Sequence, residues 1–148
     1  MNLSQLLQYS KNQLVNQLVY FDEEKALFLE QYFPQRNKER AQMEKLLNRY
    51  CEEVEQIVAR LDEATLHSRV LIGSQVALRY LEDGTEESFS IVFPQNARPG
   101  ANHISFISPM GRQLLLGQSQ QICHLNVPSG VLKAQILEIK YVNLGEVN

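Results

Sequence analysis

Along the first third of the chain, Leu3, Leu7, Leu14, Leu18, Phe21, Phe28 and Tyr32 follow one another in three-, four- and seven-residue steps. This is the spacing of a coiled-coil seam, interrupted at Ser10 and Lys25. The pattern resumes after Pro34 with Met43, Leu47, Tyr50, Val54, Ile57 and Leu61, again at heptad positions. Proline removes a backbone donor and disfavours helix in the residue before it, so the first helix should stop near Phe33 and the chain reverse there. The expected element is an antiparallel helical hairpin with its tip at Phe33-Pro34-Gln35-Arg36-Asn37. Arms of about 30 residues would reach about 45 Å, a probe that needs a base. Two other readings stand beside it. The heptads could form a bundle core or a dimer interface, and Asp22 could cap a new helix and shorten the hairpin.

Beyond residue 66 the period changes. Val76, Leu78 and Tyr80 alternate, Asp83-Gly84 supplies turn chemistry, and Phe89, Ile91 and Phe93 alternate again, so an antiparallel pair is expected. An irregular loop over Pro94 to Gly100 leads to a short strand over Ile104 to Ile107. Ser108-Pro109 reads as a helix cap followed by proline at the first helical position. That helix should carry Leu114, Leu115 and Leu116 in its body, with Gly117 just past its end. Two last strands, Ile122 to Val127 and Val131 to Val142, are joined by a turn at Pro128-Ser129-Gly130.

Punctuation supports the division into two parts. All 7 glycines lie beyond residue 72, and Pro34 is the single proline before it. Residues 1–66 are expected as the coiled-coil hairpin and residues 67–148 as a sheet domain with one covering helix, an α+β chain. The 148 residues carry 14 basic and 17 acidic side chains, net charge −3, which excludes nucleic-acid binding through bulk charge. No apolar run approaches the roughly 20 residues of a membrane span, and no signal-peptide pattern opens the chain, so a cytoplasmic protein without membrane contact is expected. Cys51 and Cys123 have no CxxC partner and read as reduced thiols.

Four segments in order carry a family resemblance: Ile72-Gly73-Ser74-Gln75-Val76-Ala77-Leu78, Ile104-Ser105-Phe106-Ile107-Ser108-Pro109-Met110-Gly111-Arg112, Val127-Pro128-Ser129-Gly130 and Ile136-Leu137-Glu138-Ile139-Lys140-Tyr141. In motif and spacing they resemble the carboxy-terminal domain of the GreA/GreB transcription elongation factors. The resemblance covers residues 68 to 142 by motif; the first half matches in architecture. It implies an FKBP-like antiparallel sheet domain with one short helix, and a hairpin that enters the secondary channel of bacterial RNA polymerase. By the same resemblance, Ser108, Pro109, Met110 and Arg112 are the residues expected to contact polymerase. Two departures stand out. Leu116 occupies a position where the family usually has glycine, which suggests a helix end shifted to Gly117, and Gln120-Gln121 replaces a Gly-Asp pair.

The tip departs further. Family members that stimulate transcript cleavage carry an Asp and a Glu three residues apart there, which help hold a catalytic Mg²⁺, and hard cations need such oxygen ligands. Here the stretch is Pro34-Gln35-Arg36-Asn37-Lys38-Glu39-Arg40, one carboxylate among three cations. Nearby positive charge opposes the recruitment of a further cation. The expectation is a channel binder that does not stimulate cleavage, with Arg36, Lys38 and Arg40 either meeting acidic or phosphate groups or simply solvating a helix end. Were the hairpin short, Asp22-Glu23-Glu24 could serve as the acidic tip; otherwise these are solvated helix-face carboxylates.

No catalytic residue, metal site or cofactor is expected. His67, His103, His124, Cys51 and Cys123 lack ligand spacing, and no phosphate loop or nucleophile elbow occurs. An FKBP-like fold invites prolyl-isomerase activity, but fold does not carry function, and Tyr80, Phe89, Phe93, Phe106 and Tyr141 sit at alternating positions that suit a core. The expected protein is therefore a non-enzymatic monomer that binds bacterial RNA polymerase and meets nucleic acid only through the transcription complex. The alternative is a Rnk-like polymerase-binding module with a shorter coiled coil.

Overall fold

The computed structural model describes residues 2–147. Met1 and Asn148, the end residues of the two expected halves, lie outside the described residues. Helix α1 runs unbroken over Leu3–Tyr32. Asn2 and Gln5 cap it reciprocally: the Gln5 amide donates to Asn2 Oδ1 and the Asn2 amide to Gln5 Oε1. Pro34 follows the last turn and the chain reverses, as the sequence predicts. Helix α2 spans Lys38–Ala59, capped by the Asn37 side chain. Asp22 lies in the body of α1, so the shortened hairpin does not form. A single-turn helix, α3, at Glu63–Leu66 was not anticipated; an Asp62/Thr65 capping box closes it and turns the chain toward the sheet.

Five strands follow: β1 (Ser74–Tyr80), β2 (Glu86–Val92), β3 (His103–Ser105), β4 (Ile122–Val127) and β5 (Gly130–Tyr141). Helix α4 (Pro109–Leu114) stands between β3 and β4. The sheet order is β3-β2-β1-β5-β4. It is mixed, and this corrects the expected antiparallel sheet. The loop after β2 makes two 3₁₀ turns, at Pro94–Asn96 and Pro99–Ala101, and this crossover returns the chain to pair β3 parallel to β2. The other pairings are antiparallel, with a bulge between Ala77 and Leu78 where β1 meets β5.

The expected hairpin is present, and it lies along the sheet domain rather than projecting as a free arm. Helix α1 packs against both α2 and the sheet domain, α2 reaches that domain directly through Tyr50, and one continuous apolar core spans all three. Phe21 meets Tyr50 of α2 edge-on and stacks on Phe93, with ring centroids 5.8 Å apart; Phe28 stacks on Phe106 at 5.5 Å. The physical reason is the width of the buried face of α1. It takes in Ser10, Gln13, Leu14, Gln17, Phe21, Phe28 and Leu29, whereas α2 offers the narrower stripe Met43, Leu47, Tyr50, Val54 and Ile57. A two-helix seam would leave aromatic surface in water, and the sheet domain covers it. Leu3, the first seam residue, remains 53% exposed.

Both interruptions of the heptad pattern have a partner. Ser10 Oγ donates to Asn143 Oδ1 at 2.7 Å, and Lys25 Nζ reaches Asn48 Oδ1 at 2.9 Å and Glu44 at 3.7 Å across the hairpin.

Candidate functional site

The residues singled out at the hairpin tip and at the start of α4 are brought together. Ser108 caps α4: its Oγ accepts from the Gly111 amide at 3.1 Å and donates to the Ser105 carbonyl at 2.7 Å. Pro109 opens the helix where its missing N–H costs nothing. Gly111 is required by close approach, since a Cβ there would stand 2.1 Å from the Ser105 carbonyl oxygen. This tight seat aims Arg112 toward the hairpin. Arg112 Nε donates to the Ile107 carbonyl at 3.0 Å, and its guanidinium lies 5.7 Å from the centroid of the Phe33 ring. Nη1 of the same residue stands 3.6 Å from Glu39. Arg112 therefore bridges α4 to the tip.

The tip cations differ in what they do. Arg40 is structural: Nη1 donates to the Phe33 carbonyl at 2.9 Å and to Glu30 at 3.2 Å, closing the turn. Arg36 and Lys38 are exposed and, among the described residues, make no ion pair. Pro34, Gln35 and Asn37 are exposed as well, and with Tyr32, Phe33 and Glu39 they line a shallow cleft of about 180 Å³. Of the α4 residues, Pro109 is exposed and Met110 half-buried. Asp22, Glu23 and Glu24 lie exposed in the body of α1, away from the tip, so they are not an acidic tip. Among the described residues no three His, Cys, Asp or Glu side chains gather as a metal site.

The sequence reading missed a buried polar network that fixes the hairpin's position. Gln17 is fully buried; Oε1 accepts from the Tyr50 hydroxyl at 2.6 Å, and Nε2 donates to the carbonyls of Ile72 at 2.8 Å and Gly145 at 2.9 Å. Gln13 Oε1 accepts from the Tyr141 hydroxyl at 2.6 Å and the Gly145 amide at 2.9 Å, while Nε2 donates to the Asn143 carbonyl at 3.0 Å. Residues 143–145 are thus strapped across α1. The available signal was positional: Ser10, Gln13 and Gln17 stand three and four residues apart on the apolar stripe. Nearby, His67 Nδ1 accepts from the Tyr141 amide at 2.8 Å, and burial holds its imidazole below the ordinary histidine pKa. Burial also pushes the Cys51 thiol up to about 11.

The departures from the family pattern resolve locally. Helix α4 ends at Leu114, two residues before the expected end, because the Leu116 amide donates to the Val70 carbonyl and the Val70 amide to the Gly117 carbonyl. Leu116 itself takes the left-handed conformation, φ 68°, so the position where the family uses glycine is not displaced. Gln120 does the same at φ 71° in the turn before β4.

Comparison with known proteins agrees with this architecture. The family described as "Transcription elongation factor, GreA/GreB, C-term" matches residues 65–141, just over half of the chain. The chain belongs to the GreA/GreB family. It is 38% identical over 79 residues to transcription elongation factor GreA of Chloroflexus aurantiacus, covering 53% of this chain and 50% of that protein. Against GreA of Thermosipho melanesiensis the identity is 42% over 69 residues, covering 47% and 44%. These matched regions span about half the length of the curated relatives. A solved GreA/GreB structure from Nitrosomonas europaea shares the fold with a TM-score of 0.55 at 23% identity, covering 80% of this chain and 93% of that one.

Proposed function

We propose that this protein binds bacterial RNA polymerase at the mouth of the secondary channel and modulates elongation without stimulating transcript cleavage. It acts as a non-enzymatic monomer and meets nucleic acid only through the transcription complex. The observation that carries the reading is the state of Glu39: the one carboxylate of the tip is paired with Arg112 and flanked by Arg36, Lys38 and Arg40. A divalent cation would need several oxygen ligands there and would meet net positive charge. Family membership supports the choice of partner.

The docked hairpin supports action at the mouth rather than deep insertion. Swinging it out would expose Phe21, Phe28, Phe93 and Phe106, all buried. At about 1.5–3 kcal/mol for each large apolar side chain, release costs on the order of 6–12 kcal/mol, comparable with the stability of a whole domain. Helix α1 continues past Asp22 to Tyr32, which favours a Gre-length hairpin over the Rnk-like alternative.

The test is transcript cleavage in stalled, backtracked elongation complexes, measured with and without the protein, beside a direct polymerase-binding assay. The expected result is binding with the cleavage rate unchanged. Accelerated cleavage would overturn the tip argument, and absence of binding would overturn the choice of partner.

A further inference from the structure

Three arginines of this chain are half-buried, and two of them have a carboxylate. Arg40, its side chain 14% exposed, pairs with Glu30, and Arg112, 27% exposed, pairs with Glu39. Arg69 has no carboxylate partner among the described residues. Its Nη1 donates to the Leu116 carbonyl at 3.2 Å, which seats the guanidinium against the sheet domain and leaves the charge without a counter-ion. Withdrawing a cation from water without compensation is costly, so folded chains usually pair such groups. Arg69 also lines an open cleft of about 560 Å³, where the end of α2 meets the segment leading into β1. Glu53, Gln56, Ile57 and Arg60 reach this cleft from α2 at i, i+3, i+4 and i+7. Arg60 is exposed and likewise makes no ion pair among the described residues. It stands at the C-cap of α2 and offsets the dipole of that helix, so the uncompensated charge of Arg69 is what calls for a ligand.

We infer that this cleft binds an acidic peptide segment, with Arg69 and Arg60 holding a carboxylate of the segment and Glu53 and Ser68 accepting from its backbone amides. A guanidinium fork matches a carboxylate in shape and charge, and the volume lies within the range of sites that hold short ligands. The acceptors select the class of ligand. Ser68 spends its hydroxyl proton on the Thr65 carbonyl at 2.7 Å, so it offers a ligand only lone pairs. Glu53 is half-buried and, among the described residues, has no cation within ion-pair distance. A phosphate group would meet the two cations but also the Glu53 carboxylate, and it has no N–H to satisfy either acceptor. A peptide carries a carboxylate and N–H groups within one residue of each other and engages both sets. The cleft lies at the opposite end of α2 from the hairpin tip, and the inference stands whether or not polymerase is the partner.

The test titrates the full-length, isotope-labelled protein with a synthetic pentapeptide, acetylated and amidated, that carries a single central aspartate, and follows it by nuclear magnetic resonance. Saturable shifts are expected at the backbone amides of Gln56, Arg60, Ser68 and Arg69 and at the Arg69 Nε–H. The same peptide with asparagine in place of aspartate should bind about tenfold more weakly. Arg69→Gln, which keeps a donor for the Leu116 carbonyl, should also weaken the aspartate peptide about tenfold, with the circular dichroism spectrum unchanged. Arg60→Gln, at an exposed position, should weaken it several-fold and tests the site even where Arg69→Gln disturbs the fold. Glu53→Gln separates the ligand classes: it should weaken the peptide, which loses a charged acceptor, and tighten inorganic phosphate, which loses a repelling neighbour. Equal binding of the aspartate and asparagine peptides, or no saturable shift at this cleft, would overturn the site. Inorganic phosphate binding more tightly than the peptide to the unaltered protein, or Glu53→Gln tightening both, would overturn the peptide as occupant.

Discussion

Gln17→Leu tests directly whether the hairpin is seated on the sheet domain. The substitution is close in volume, so its effect is the loss of an amide that satisfies three buried groups. The Tyr50 hydroxyl loses its acceptor, although it still accepts from the Ile72 amide at 2.9 Å, and the carbonyls of Ile72 and Gly145 lose their donor. Each buried group left unsatisfied costs about 1–3 kcal/mol. The leucine regains about 1 kcal/mol through added apolar burial. Three such groups, less the leucine's gain, give a net destabilisation of about 2–8 kcal/mol, which at about 2–4 °C per kcal/mol lowers the melting temperature of a chain this size by about 4 °C or more. Urea unfolding followed by far-ultraviolet circular dichroism measures it, with exposed Gln31→Leu on the same helix as the control, expected within about 0.5 kcal/mol. If the hairpin were a free arm in solution, Gln17 would be wet and the two substitutions would behave alike. A loss below about 1 kcal/mol for Gln17→Leu would therefore refute the docked arrangement.

Two further outcomes concern stability. His67 accepts a hydrogen bond from the Tyr141 amide and its folded pKa is lowered, chiefly by burial, so the folded state favours the neutral ring. The unfolded chain takes up its proton near pH 6.5, so the contribution is fully present above that pH and declines as pH falls toward the lowered folded value. Urea midpoints measured between pH 5 and 8 should show this decline, and His67→Gln should remove it. In the turn before β4, Gln120→Gly relieves a left-handed conformation at φ 71° on an exposed residue. It should raise stability by up to about 1 kcal/mol, read as a higher melting temperature, despite the greater freedom glycine gives the unfolded chain.

What the sequence by itself determined here is local. The heptad steps, Pro34 and the caps at Asn37 and Ser108 specify two helices, their reversal and the start of α4, because each acts on backbone groups only a few residues away. Alternation likewise placed strands β1, β2, β4 and β5 within a few residues of their observed ends. Tertiary structure decided what local chemistry could not. The parallel pairing of β3 depends on a crossover whose direction no short pattern encodes. The early end of α4 depends on Val70, which competes for the Leu116 and Gly117 backbone from 46 residues upstream of Leu116.

The same division governs the candidate site. The deficit of acidic ligands at the tip is written in composition alone, since Arg36, Lys38 and Arg40 surround Glu39 in sequence. The hairpin's placement is not. A stripe of Ser10, Gln13, Leu14, Gln17, Phe21 and Phe28 can face a partner helix or a sheet equally well. Burying glutamine is costly unless every amide atom finds a partner, and those partners, Ile72, Tyr141 and Gly145, come from the far half of the chain. Only the assembled fold supplies them, and it is that assembly which seats the hairpin on the sheet domain and sets Arg112 against Glu39.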